Sequence, residues 1–194
     1  MYELPITVTV GNKEYAIRDK ADYRTILAAL SLGEDPEMTP KERTVSALIV
    51  FYDGIDSLED LMEEFPDNIN EAVDAMSTFL ACGETSGVAH HNTVKLIDWE
   101  QDEQLIISAV NNVARTEIRA LPYLHWWTFM SYYMAIGECA LSNVVGIRNK
   151  IAKGKKLEKY EREFKNENPQ YFVWKKDKEE EQNLLKNIWN KGKK

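Results

Sequence analysis

The chain has 194 residues, 44% hydrophobic and 29% charged, which excludes disordered and collagen-like classes and suits one domain, alone or with an appendage. No apolar run approaches the roughly 20 residues of a membrane span, and the N-terminus MYELPITVTVGNKEY lacks the basic flank and apolar core of a secretory signal. Two cysteines, Cys82 and Cys139, are too few for a disulfide framework and predict a reducing, cytoplasmic setting.

The chain opens on a hairpin pattern. Ile6, Val8 and Val10 alternate with Thr7 and Thr9, Gly11-Asn12 offers a two-residue turn, and Tyr15 and Ile17 resume the alternation. The period then becomes helical. Ala21 to Leu32 reads as a first helix, ended by Gly33 and the loop around Pro36. Thr39, Pro40 and Glu42 form a capping box with proline at the first helical position, followed by a stripe of Val45, Leu48, Ile49 and Tyr52. Ser57 is placed to cap a short helix through Glu64. Asp67 is placed to cap the next, with stripe Ile69, Ala72, Val73, Met76, Phe79 and Leu80 and a stop at Gly83.

Residues 84–93 read as a surface loop between an α+β half and an all-helical half. Asp98 with Gln101 resembles a second capping box, ahead of a stripe of Leu105, Ile106, Ala109, Val110, Val113 and Ala114. Beyond Pro122 the helical spacing continues, with Gly137 and Gly146 as expected bends. A charged helix follows Lys155, broken at Asn168-Pro169, and a last helical segment runs from Lys176 to Trp189. The expected fold is mainly α (α+β): a small N-terminal hairpin, a multi-helix bundle and a charged C-terminal helical tail, in blocks 1–83, 94–165 and 166–194.

Charge is unevenly spread. Arg148 to Lys194 holds 15 Lys and Arg against 8 Asp and Glu, a net of +7, which leaves −15 for residues 1–147. This split suggests that the tail meets something negative: the acidic body of another copy, through Arg148, Lys150, Lys153, Lys155 and Lys156, or a nucleic acid. The nucleic-acid alternative is a binding module in which Tyr160, Phe164, Tyr171, Phe172 and Trp174 interleave with lysines. A solvated basic helix is the plain structural alternative.

Catalytic chemistry has little to rest on. Cys82, His90, His91 and Cys139 lack the paired spacing by which one element presents two metal ligands. There is no G-x-S-x-G elbow, phosphate loop or dinucleotide fingerprint. Asp98, Glu100, Asp102 and Glu103 form an acidic cluster, which a helix N-terminus favours without any catalytic role. No enzyme activity, metal or cofactor is expected.

The segment Leu124–Met134 is the most unusual, since Trp126, Trp127, Phe129, Met130, Tyr132 and Tyr133 crowd one short helix. Such a helix is either core or an adaptable aromatic and methionine groove for a partner helix. Rings on nearly every side predict that at least one of Trp126, Trp127 and Tyr132 stands substantially exposed.

Five segments in order resemble a known family: LPITVTVGNKEYAI at the hairpin, FLACG at Phe79–Gly83, LIDWEQDEQLIISAV at Leu96–Val110, LHWWTFMSYY from Leu124, and VVGIRNKIAKGKKLEKYEREF at Val144–Phe164. Together, over roughly residues 1 to 165, they look like the bacteriophage gene-product-fifteen family of Gram-positive siphophages. The resemblance implies a tail-assembly chaperone-like role: binding the tape-measure protein and other tail components, self-associating, working in the host cytoplasm and leaving the mature virion. It carries over no catalytic residue; no membrane partner is expected, and nucleic-acid binding stays the alternative.

Overall fold

A computed structural model describes residues 3–35, 37–84 and 94–174. It is mainly helical, with one two-stranded sheet and eight α-helices among the described residues. Strands β1 (Thr7–Val10) and β2 (Lys13–Ala16) pair antiparallel in the register Thr7↔Ala16 to Val10↔Lys13. The turn between them requires a left-handed residue, which Gly11 supplies at φ 61.

The chain divides into two compact units, each assembled from two stretches instead of the contiguous blocks 1–83, 94–165 and 166–194. One comprises Met1–His91 with Val110–Ile136, the other Asn92–Ala109 with Gly137–Lys194.

In the first unit, α1 (Tyr23–Gly33), α2 (Pro40–Phe51), α3 (Leu58–Glu64) and α4 (Ile69–Leu80) follow the hairpin. The Thr39 capping box forms as read, with Pro40 at N1, and Ser57 accepts from the Asp60 amide. Asp67 is not the cap of α4. The helix begins one residue later, Asn68 takes the cap position, and Asp67 is left outside. On α2 the buried face is Ala47, Leu48 and Phe51, while Val45 and Ile49 are half-buried. Both stripes satisfy helical spacing, and Phe51 decides by packing edge-on against Phe79 at 5.6 Å. The hairpin joins this core through Tyr15, whose ring lies 4.8 Å from Phe65 and 5.9 Å from Tyr52. Arg18 donates to the carbonyls of Ile49, Tyr52 and Ile55, satisfying acceptors at the end of α2.

Between hairpin and α1 the backbone does something no sequence pattern announces. Asp19, Lys20 and Ala21 are consecutively left-handed, at φ 52, 54 and 62. Each such non-glycine residue costs roughly 1–2 kcal/mol. Surrounding bonds hold them there: Tyr123 Oη donates to Lys20 O at 2.8 Å and the Trp126 amide to Ala21 O at 2.8 Å.

The second unit contains the start of α5 (Glu103–Ala114, passing to the first unit at Val110), then α7 (Ala140–Ala152) and α8 (Lys159–Glu167). The α5 stripe includes Ile107, buried beside Ile106, which the sequence pattern omitted. The expected break lies at 135–139, between α6 (Trp126–Met134) of the first unit and α7, so Gly137 is in it while Gly146 is inside α7. The helix expected from Lys176 to Trp189 and the loop 85–93 lie outside the described residues. No described helix is long and apolar enough to cross a membrane.

Candidate functional site

Helix α6 begins on three consecutive side chains with polar handles. His125, the N-cap, is buried; its Nδ1 accepts from the Trp127 amide at 3.0 Å and its Nε2 lies 2.8 Å from Pro5 O. An acceptor at Nδ1 and a carbonyl facing Nε2 define the neutral Nε2–H tautomer. Burial lowers the His125 pKa below the ordinary imidazole value, against the smaller raising effect of Pro5 O.

The two tryptophans reach neighbouring acceptors. Trp126 Nε1 donates to Leu80 O at 3.2 Å and Trp127 Nε1 to Phe79 O at 3.0 Å. Both indoles therefore bond carbonyls in the last turn of α4, where Phe79 O also accepts from the Cys82 amide at 3.0 Å. Trp127 also lies over Gly83: a Cβ there would come 3.4 Å from the indole edge, and φ +82 already favours glycine.

The six aromatic and methionine residues singled out above divide into two groups. Trp126 and Phe129 are core, Trp126 at 2% exposure, in a stack with Tyr23, whose ring lies 4.9 Å from Phe129. Trp127, Met130, Tyr132 and Tyr133 are half-buried. The expectation of a substantially exposed ring among Trp126, Trp127 and Tyr132 is therefore corrected. Each indole N–H needs an acceptor, and α4 supplies one for both. The exposed large apolar side chain of this helix is Met134, at 77%.

Trp127 forms one wall of an open, mainly apolar pocket of about 320 Å³. Thr7, Val8 and Thr9 of β1 form the facing wall, and Ala75 and Phe79 of α4 contribute the rest with their neighbours. Sequence reading identified Trp127 but missed the strand and α4, because a groove shared by three elements has no signature in any one of them.

The tail cations also divide. Arg148 is not a surface contact for a neighbour. It is buried, and its guanidinium pairs with Asp102 through Nη1–Oδ2 at 2.5 Å and Nη2–Oδ1 at 2.9 Å. It also donates to Leu96 O and Tyr171 O and lies 4.3 Å from the Trp174 ring centre. A fork of five donors inside a protein requires such a ring of acceptors. Lys150 binds Glu161 at 2.6 Å, whereas Lys153, Lys155 and Lys156 are exposed. Of the interleaved aromatics, Tyr160 is exposed; Phe164 and Phe172 meet edge-on, and Tyr171 and Trp174 are half-buried around Arg148.

The acidic cluster is structural in its geometry. Asp98 accepts from the Glu100 and Gln101 amides and Asp102 from the Asp98 amide, so Asp102 closes the box expected of Gln101. The Gln101 side chain donates instead to Gln170 O and Val173 O. Burial pushes the Asp98 carboxyl up, but the Gln101 amide and Lys95 outweigh it and hold it below its ordinary value. Cys82 has a raised pKa from burial and then from Glu84, the opposite of an activated thiol. No group of three or more potential metal ligands occurs among the described residues; His90 and His91 lie outside them.

No curated protein and no solved structure matches this chain. A family model does, that of Bacteriophage Gp15 protein, over residues 1–172. That span takes in the hairpin, the His125–Trp127 anchor, the pocket and the Arg148 centre, and the chain belongs to the Bacteriophage Gp15 family.

Proposed function

We propose that this phage protein is a non-enzymatic tail-assembly factor of chaperone type. In this reading it holds the tape-measure protein in the host cytoplasm and is absent from the finished virion. The single observation that carries the reading, beyond family membership, is the open apolar pocket against Trp127. A chaperone needs a preformed apolar surface that tolerates varied side chains, and Trp127 and Phe79 with small neighbours at Ala75 and Thr78 suit that need. The exposed Lys153, Lys155 and Lys156 are the remaining candidates for contact with the acidic body of a second copy.

Co-expression with the tape-measure protein of the same phage tests the function. The expected result is a soluble complex that co-elutes on gel filtration. A tape-measure protein that stays equally insoluble with and without this chain overturns the reading.

A further inference from the structure

The pocket is bordered by an unsatisfied strand. Val10↔Lys13 closes the two-residue turn, so the hydrogen-bonded pairs along the ladder are Val10↔Lys13 and Val8↔Tyr15, and the Ile17 amide then donates to Ile6 O. Thr7 and Thr9 therefore turn their N–H and C=O groups away from β2. Those groups have no partner among the described residues, and both residues line the pocket. The same edge carries unexplained apolar exposure, with Leu4 at 47% and Ile6 at 45%. A helical partner makes its backbone hydrogen bonds internally and would leave this edge unpaired; an extended one completes it.

We propose that the groove between β1 and α4 binds an extended segment of a partner polypeptide, added beside β1 as a third strand. The inference rests on the reading of the Trp127 pocket as the chaperone's docking site and specifies its ligand. Thr7 and Thr9 each exchange an N–H and a C=O with the incoming strand. The residue opposite Val8 then shares Val8's face and enters the pocket toward Ala75, Phe79 and Trp127. Side chains two positions away follow it, so the ligand carries small or medium apolar residues at alternate positions. Charge sets its flank. Glu71 is exposed beside the turn, where a Cβ on Gly11 would lie 3.7 Å from its carboxylate, and a lysine or arginine at that end of the ligand meets it.

The probes are fluorescein-labelled heptapeptides in which Val, Leu or Ala alternates with Thr, with lysine at one end or the other. Fluorescence anisotropy with the full chain is expected to give saturable binding with a Kd below about 1 mM. Methylating the peptide nitrogens that face β1, which keeps the apolar surface and removes the donors, is expected to weaken it about tenfold or more. Thr78→Trp, which fills the groove from an exposed helical position, does the same; Ala75→Leu is the second variant should the first melt early. Amide exchange at Thr7 and Thr9 slows when peptide is bound. Three results overturn the proposal: no peptide of the set binds; a stapled amphipathic helix competes better than any strand; or the chain forms a dimer that Thr78→Trp dissolves, which assigns the edge to a second copy. If Thr78→Trp loses every peptide yet still keeps the tape-measure protein soluble, the strand site is overturned as the chaperone's ligand site and the tail-assembly reading stands.

Discussion

Two buried polar groups contrast: His125 in the first unit is a neutral imidazole, and Arg148 with Asp102 in the second is an ion pair. His125 carries no charge, so its burial requires only one acceptor and one donor, and Pro5 and Trp127 provide them. Arg148 cannot give up its proton, so its burial requires a carboxylate and two backbone carbonyls. Both stitch together segments distant in sequence. A neutral centre is thus open to proton binding, whereas a charged centre is vulnerable to loss of its counter-charge.

The sharpest way to break that contrast is to remove one partner of the pair. Asp102→Asn or Arg148→Met is expected to cost about 3–5 kcal/mol of the second unit's stability in urea titrations, and the double change to apolar residues much less. If each single change proves as mild as the double, burial of the pair is not what anchors residues 169–174.

Acid should separate the two units. His125 has its folded pKa lowered, so the unfolded state binds the proton more readily, and stability is full above the ordinary value of about 6.5 and declines as pH falls below it. Asp98 also has a lowered pKa, but its stabilisation is present above about 3.9 and is lost only below that. Between about pH 6.5 and 4.5 the His125 amide region is therefore expected to lose hydrogen-exchange protection first. Equal loss at Asp98 in that window contradicts the assignment.

The remaining expected effects are smaller. Asp98→Ala is expected to cost roughly 0.5–2 kcal/mol by calorimetry with no other phenotype, as for a cap. Trp127→Phe keeps a ring against the pocket and removes only the donor to Phe79 O, at about 1 kcal/mol. Smallest of all, Lys20→Gly is expected to raise stability by up to about 1 kcal/mol, since an exposed left-handed residue suits glycine better than lysine.

What was legible in the chain was whatever one element decides alone. The Gly11 turn, the Thr39 and Ser57 caps, and the α4 stripe of Ala72, Met76 and Phe79 each depend on spacing within a dozen residues. What was not legible depends on a partner far away in sequence. Arg148 reads as one more cation of a basic run until Asp102 is seen beside it. Trp126 and Trp127 read as competitors for one place until the last carbonyls of α4 give each its own acceptor. The left-handed run at Asp19–Ala21 has local turn bonds, such as the Ala21 amide to Arg18 O, but it also takes bonds from Tyr123 and Trp126, which no local pattern announces.

That run has a consequence for how the protein is made. The hairpin and α1 leave the ribosome before α6, but the turn joining them also takes bonds from groups about a hundred residues downstream. At a synthesis rate of about 5–20 residues per second, the N-terminal strand waits on the order of ten seconds before the Trp126 amide exists to bond Ala21. During that interval an unpaired β1 edge and its apolar neighbours are exposed. A chain proposed to guard another from aggregation is, while being translated, in need of the same protection.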